Sequence, residues 1–424
     1  MADRLIEHAA CRICGAGPLA PILSLGTLSV SGFPSGASGA AAASDAAPLD
    51  LVLCEPARGG CGLLQLAHTV PPGSLYREYW YRSVTNESMR AALAEITRRV
   101  EETVDLAPND LVLDIGCNDG TLLRSYRSPG VTLVGFEPSR NLHLFARQAT
   151  DLIINDFWSA AAFRAALGER KAKVVTTIAM FYDLEDPNAF VADLASVLAP
   201  DGVVINQMAY LPLMLERNAF DNICHEHLEY YSLSVLRRLY SRHGLEVFDV
   251  ELNEVNGGSF RVYARHRGAT LRGASEFGLA RVASMERFED ELRLAHRDVY
   301  DAFVARVNAA RDEVVSFVKD AVASGKRIYG YGASTKGNTL LQYFGLDESL
   351  ITAIADRNPD KWGRRTVHTD IPIVSEEQAR KEKPDFFLVL PWHFLPSFVE
   401  RERDYLSSGG KFIVPLPRLR LIGA

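Results

Sequence analysis

Asp114-Ile-Gly-Cys-Asn-Asp-Gly-Thr121 is the stretch whose reading decides the fold of this chain. The apolar run before it, Leu111-Val-Leu113, reads as a buried parallel strand. Gly116 and Gly120 punctuate a tight loop, and Thr121 to Tyr126 reads as the start of a helix. Strand, glycine loop and helix, in that order, form the corner at which a Rossmann-like sheet holds a nucleotide-type ligand. The next apolar run ends at Phe136-Glu137, which puts a carboxylate at the tip of the second strand, where it accepts hydrogen bonds from ribose hydroxyls. The glycines follow D-x-G-x-x-x-G rather than G-x-G-x-x-G, so no pyrophosphate is expected against the helix start. That favours S-adenosylmethionine (SAM), which has a ribose and a sulfonium but no phosphate. A glycine turn of a dinucleotide fold is the alternative.

Outward from this corner, apolar strands alternate with helical segments, the signature of a doubly wound α/β fold. Leu152-Ile-Ile154 precedes Asn155-Asp156-Phe157, where a carboxylate and a ring can meet an adenine. Val174–Ile178 and Gly202–Gln207 read as the fourth and fifth strands, and 246–252 with 260–265 as a terminal pair joined through Asn256-Gly-Gly258. The loop Met180 to Pro187 follows the fourth strand and is expected on the cofactor side. An amphipathic stretch from about Glu276 to Val322 reads as a helical connector. A second α/β unit then opens with Arg327-Ile-Tyr-Gly-Tyr-Gly-Ala-Ser-Thr-Lys-Gly-Asn338, again a strand, a glycine loop and a helix start. Ser334, Thr335 and Lys336 on that loop make a phosphate cradle, beside the alternative of a turn that serves only the fold.

The chain has 424 residues, more than one usual core, so two or three domains are expected. A formal charge of −7 argues against nucleic acid as a general partner. The start lacks the apolar core of a signal peptide, and no run approaches the ~20 apolar residues of a membrane span. The expected compartment is the cytoplasm, with no membrane partner, and there cysteines are thiols or metal ligands rather than disulfides. Four of the six cysteines are Cys11, Cys14, Cys54 and Cys61. Cys11-x2-Cys14 is a knuckle that can reach one tetrahedral ion, and structural Zn2+ is the favoured reading over free thiols. The second pair is spaced by six residues rather than two to four. Between the pairs, Ser35 to Pro48 is a low-complexity insertion that cannot bury much, so the small module is expected to need a metal to hold it together. Residues 71–110 follow, with the aromatic run Tyr76 to Ser83 as an interdomain core or a lid, and a helix over 88–104.

The chemically densest segment is Phe220-Asp-Asn-Ile-Cys-His-Glu-His-Leu-Glu-Tyr-Tyr231. His225-Glu226-His227 lacks the i, i+4 spacing of a helical zinc site, and acid–base work is the favoured reading over metal binding or a solvated face. A base is needed when a sulfonium methyl is accepted by carbon, because that carbon must first become an enolate. Tyrosines such as Tyr81, Tyr182 or Tyr230 are candidate donors to the enolate oxygen.

Taken together these motifs resemble the nucleotide-sugar C-methyltransferases, the group containing the sugar C-3 methyltransferases of deoxysugar biosynthesis. The motifs are Cys11-x2-Cys14, Tyr79-x-Tyr81-x-Ser83, Asp114-x-Gly-x-Asn-Asp-Gly120, Phe220-Asp-x3-His-Glu-His227, Asn256-Gly-Gly-Ser-Phe-Arg261, Gly330 to Asn338 and Asp356-x-Asn-Pro-x-Lys361. The resemblance implies an α/β fold. It has a zinc-binding N-terminal module (1–70), a class I methyltransferase Rossmann-like core with its lid (71–270), and a connector with a smaller Rossmann-like C-terminal domain (271–424). It implies that His227 is the general base with Glu226 beside it, and His225 and Tyr182 join them as candidate catalytic residues. Tyr81, Ser83, Asp114, Gly116, Asn118, Gly120, Glu137, Asp156 and Phe157 are the candidate SAM residues. Asn256, Arg261, Ser334, Lys336 and Asn338 are the candidates for a nucleotide-linked keto-deoxysugar. Three positions depart from the family pattern. Cys224 stands where a tyrosine is frequent, Phe181-Tyr182-Asp183 where some members have a histidine, and the second cysteine pair is wide. The alternatives are an O- or N-methyltransferase and a dinucleotide-dependent sugar oxidoreductase or epimerase. Monomer and homodimer both fit.

Overall fold

The computed structural model of the chain describes residues 5–33, 46–77, 79, 81–270 and 276–423. Most of the low-complexity insertion therefore lies outside the described residues, as do Glu78 and Trp80 of the aromatic run; Ala46 to Pro48 open a strand.

The central sheet has seven strands in the order Leu245–Asn253, Ser259–His266, Leu198–Ala209, Ala172–Ile178, Leu111–Ile115, Thr132–Phe136, Leu152–Ile154. Only Ser259–His266 runs against the others. Its inner strands are continuous apolar runs because both faces are covered: Leu111, Val112, Leu113, Val174 and Val175 are all buried. The order reverses between Leu111–Ile115 and Ala172–Ile178, so a crevice opens at the carboxyl ends of that pair. The helix expected from Thr121 shrinks to one 3-10 turn, Leu123–Ser125. Ser128-Pro129-Gly130 keeps it from running on, since a proline disfavours helical backbone at the residue before it.

The C-terminal sheet repeats the plan with six strands: Ile373–Ser375, Ile354–Asp356, Ile328–Tyr331, Phe386–Val389, Lys411–Val414 and the antiparallel Arg420–Ile422. Its reversal falls between Ile328–Tyr331 and Phe386–Val389. The two switch points face each other.

The N-terminal module carries a sheet of its own. It is a four-stranded antiparallel sheet, with strands Ala20–Ser29, Ala46–Leu53 and Leu64–Leu66 and, at its edge, Glu229–Tyr230 from beyond the central sheet. It contributes Leu49, Leu51, Leu53, Leu64 and Leu66 to one core with Phe303 and Val307. The alternation of Leu49, Leu51 and Leu53 puts these side chains on one face. The connector is two helices rather than one, Glu276–Glu291 and Arg297–Ala323, with Arg293 in the left-handed region between them. Among the described residues no helix is long and apolar enough to cross a membrane.

Candidate active site and metal centre

One cavity of about 720 Å³ joins the two switch points. On the central side it is floored by the loop after Leu111–Ile115. Gly116 has φ +73, and a Cβ there would lie 3.1 Å from Met180 Cγ, so only glycine leaves this space open. Asn118, itself at φ 53, knots the loop to the chain above it. Its Oδ1 accepts from the Ser83 amide at 3.0 Å, and its Nδ2 donates to the Tyr81 carbonyl at 3.1 Å. Val84 N donates to Asp119 Oδ2 at 2.9 Å. The aromatic run thus lies over the glycine loop, and Tyr76, Tyr79 and Tyr81 line the cavity.

Glu137 lines the same end. Its Oε2 accepts from Asn118 N and its Oε1 from Ser139 N, each at 2.8 Å. Burial raises its carboxyl above the usual range. Asp114 is held by Thr176 Oγ1 at 2.6 Å, and burial, with Glu137 nearby, pushes it up to about 7. Asp156 and Phe157 form the far wall, with the Arg77 guanidinium 5.0 Å from the Phe157 ring centroid.

At the other end His227 is the central group. Its Nδ1 donates to the Asn222 carbonyl at 2.8 Å, which fixes the tautomer and leaves Nε2 with a lone pair. Its ring packs 4.3 Å from that of Tyr182, centroid to centroid. Burial, reinforced by the Lys336 ammonium, draws its pKa down to about 3, so the imidazole is neutral at physiological pH. Lys336 donates to the Asn256 carbonyl at 3.2 Å, which ties the C-terminal glycine loop to the hairpin of the central sheet. It is the one lysine or arginine lining the cavity among the described residues. Ser334 and Asn256 line it as well, and Ser334 Oγ also accepts from Gly337 N at 3.0 Å, capping the helix Thr335–Phe344. Glu226 is buried beside Asp183 and Cys224, and burial raises its carboxyl.

Five predicted residues stand elsewhere, among them Tyr230, whose hydroxyl donates to the His227 carbonyl at 3.1 Å. His225 turns away from the cavity and its Nε2 meets the Ala47 carbonyl at 2.9 Å. Arg261 is buried against the sheet, with Nε 2.9 Å from Gln207 Oε1 and Nη2 2.6 Å from Glu95. Asn338 donates to the Gly32 carbonyl at 3.3 Å, and Gly120 serves the turn, where a Cβ would meet Ala146 O at 3.0 Å. A turn separates the two rings, with His227 N donating to Cys224 O at 3.1 Å, so they leave the backbone in different directions and only His227 faces the cavity. Conversely, His393, Phe394 and Pro391 line the cavity from the loop after Phe386–Val389. The signal was available, since loops that follow the strands at a switch point bind ligands. His393 is also neutral, its pKa lowered by burial and Lys336. Asp183, a further lining residue, has a buried Oδ1 without a hydrogen-bond partner.

Asp356, the acidic strand tip of the C-terminal sheet, does not line the cavity. It accepts from Ala333 N and Asn358 N at 2.7 Å each, with Lys361 Nζ 3.6 Å away. That position, open to a ribose in a dinucleotide site, is closed here by the protein's own lysine.

The four cysteine Sγ atoms lie within 4.8 Å of one another, with Cys11 to Cys61 at 3.5 Å and Cys14 to Cys54 at 3.4 Å. A tetrahedral ion bound through four thiolates at ~2.3 Å needs sulfur separations of about 3.8 Å, so the donor set fits zinc. The wide second pair is accommodated by the 3-10 turn Pro56–Arg58, returned by Gly59 at φ 82. Gly60 follows, where a Cβ would lie 2.6 Å from Cys54 Sγ.

Comparison with known proteins gives consecutive matches along the chain: a zinc binding domain over residues 11–76, a methyltransferase domain over 85–250 and a C-methyltransferase C-terminal domain over 254–417. The chain is 33% identical over 422 residues to the C-methyltransferase NovU of Streptomyces niveus, covering 98% of this chain and 97% of that one. Among solved structures it aligns with magnesium protoporphyrin IX methyltransferase from Synechocystis PCC 6803 with bound SAH, at 16% identity and TM-score 0.33, over 42% of this chain and 87% of that one. A protein of Pyrococcus horikoshii OT3 aligns at 17% identity and TM-score 0.35, over 44% and 95%.

Proposed function

Because this chain belongs to the C-methyltransferase family, we propose that it methylates the carbon next to the ketone of a keto-deoxysugar carried on a nucleoside diphosphate, with SAM as donor. The observation that carries this reading is the single cavity in which a neutral, tautomer-fixed His227 from one unit meets Lys336 from the other.

The cavity supports the following division of labour. Residues 71–270 hold SAM: Glu137 accepts from the ribose, Asp156 and Phe157 flank the adenine, and Tyr81, Ser83, Asn118 and the open space at Gly116 shape the remainder. Bound SAM supplies an electrophilic methyl carbon on a sulfonium. Lys336 and Ser334, with Asn256 opposite, receive the diphosphate between residues 71–270 and 271–424. His227 takes the α-proton at Nε2, and the electron pair moves into the enolate. A neutral imidazole is competent for this because Nδ1–H stays on the Asn222 carbonyl throughout. Tyr182 packs on that ring and fixes its plane; Glu226 forms the neighbouring wall. Burial in a cavity of this kind strengthens the attraction between the Lys336 ammonium and the diphosphate relative to water. His225 has no role here, consistent with its bond to Ala47.

The experiment is incubation with a panel of nucleoside-diphosphate 4-keto-6-deoxy sugars in D2O, with and without SAM. Deuterium entering one carbon, and a methyl appearing there, is the expected result. Methylation without loss of an α-proton would move the acceptor to oxygen or nitrogen and defeat the proposal.

A further inference from the structure

The cysteine module is joined to the base-bearing segment by strand pairing and, from the knuckle itself, by a buried Arg–Glu contact. Arg12 sits between Cys11 and Cys14, and its Nε lies 3.8 Å from Glu229 Oε1, the side chains being 1% and 0% exposed. The rest of the guanidinium is spent on its own module, with Nη1 2.6 Å from Leu66 O and Nη2 2.7 Å from Thr69 Oγ1. Its amide donates to Gln65 Oε1 at 3.1 Å, and Gln65 is the register partner of Glu229. Glu229 lies two residues beyond His227, with the Leu184 amide beside its carboxyl, which burial pushes well above the ordinary range against the pull of Arg12. Between them Leu228 N donates to Tyr182 O at 2.7 Å. The Glu229 side chain therefore lies between Arg12 of the metal knuckle and the loop that carries Tyr182, on the strand that follows the His-Glu-His segment. Neither Arg12 nor Glu229 lines the cavity.

A buried ion pair adds little net stability over an apolar pair of the same shape, so its retention here calls for another reason. We infer that Arg12 and Glu229 are positioning residues through which the cysteine knuckle sets the place of His227 relative to Tyr182. This rests on the reading of His227 as the base. Zinc, by fixing the two cysteines that flank Arg12, holds one end of the pair; the strand Glu229–Tyr230 is the other end. Because a misplacement of about 1 Å costs on the order of 10²-fold in rate, the pair acts on turnover and leaves the SAM end untouched.

The test uses the full chain with Glu229→Gln, Arg12→Met, Arg12→Lys and the double variant Arg12→Met/Glu229→Leu. Zinc per chain, melting temperature, SAM affinity, KM, kcat and the rate of α-deuterium exchange are read for each. The single charge-removing variants are expected to lose about 10- to 100-fold in exchange and kcat, with SAM affinity within about twofold of the parent and zinc retained. Arg12→Lys recovers part of the rate. The double variant leaves no unpaired charge, so it regains melting temperature without regaining kcat. Turnover that returns together with stability in the double variant overturns the inference, and so do single variants with parental exchange. If the single variants do not fold, the double variant decides alone. His227→Asn separates the two readings: a variant that still exchanges defeats the base assignment and this inference with it. An inactive His227→Asn beside a fully active Glu229→Gln defeats the positioning role only.

Discussion

Glu137→Gln is the perturbation that isolates the SAM end of the cavity. The carboxylate accepts one backbone amide on each oxygen, at 2.8 Å from Asn118 and 2.8 Å from Ser139, and each oxygen keeps a further lone pair for a ribose hydroxyl. The glutamine amide has one oxygen, so either Asn118 N or Ser139 N must face an NH2 group. One ribose bond is lost with it. A hydrogen bond to a charged group contributes about 1.5–3 kcal/mol, and each ~1.4 kcal/mol is tenfold in affinity. SAM and SAH affinity should therefore fall about 10- to 150-fold. Because burial raises the Glu137 carboxyl, calorimetry is best run near pH 8, where the parent is a carboxylate. The α-proton exchange of a keto-sugar, measured without SAM, should be unchanged, since Glu137 sits at the end away from His227. An affinity within threefold of the parent would refute the assignment of Glu137 to the ribose. Loss of exchange would show that the two ends are not separable.

Lys336→Met should raise KM for the nucleotide sugar at least tenfold while SAM affinity stays put, which parallel titrations with each ligand would check. Cys54→Ser removes one of the four thiolates, so metal analysis should show zinc reduced or lost and scanning calorimetry a lower melting temperature; full zinc occupancy would contradict the four-cysteine site. His227 has a folded pKa of about 3 against an ordinary value near 6.5, so its neutral burial stabilises the fold above about pH 6.5. That contribution is lost as the pH falls toward 3. Between pH 7 and 5 the parent should lose about 2 kcal/mol more than His227→Asn in denaturant titrations, and equal losses would contradict a buried neutral imidazole.

Much of this site is legible in the sequence because the folding rules that expose it are local. A strand, a glycine loop and an acidic strand tip located Asp114, Gly116, Asn118 and Glu137, and the same rule located Lys336. It failed where two neighbouring residues had to be told apart. His225 sits in a turn and Arg261 on a strand, and the motif carries no record of which way either side chain leaves the backbone. Asn338 lies one turn into its helix and is spent on the Gly32 carbonyl. His393 was within reach of the switch-point rule, had it been applied to the second sheet. The hydrophobic core of the N-terminal module was hidden by its low-complexity insertion, although Leu49, Leu51 and Leu53 alternate as a half-buried strand should. Nothing local foretells that Glu229 completes that sheet and meets Arg12, since the pairing is between distant stretches of chain.

The central claim is that His227 removes the α-proton of the acceptor. Its most direct test is deuterium exchange into a nucleoside-diphosphate 4-keto-6-deoxy sugar turned over by the parent, comparing parent and His227→Asn, with SAM affinity measured on the same preparations. The account predicts exchange reduced by at least about 10²-fold in the variant, as expected for loss of a general base, with SAM affinity unchanged. Exchange at the parental rate in a variant that still binds SAM would contradict it.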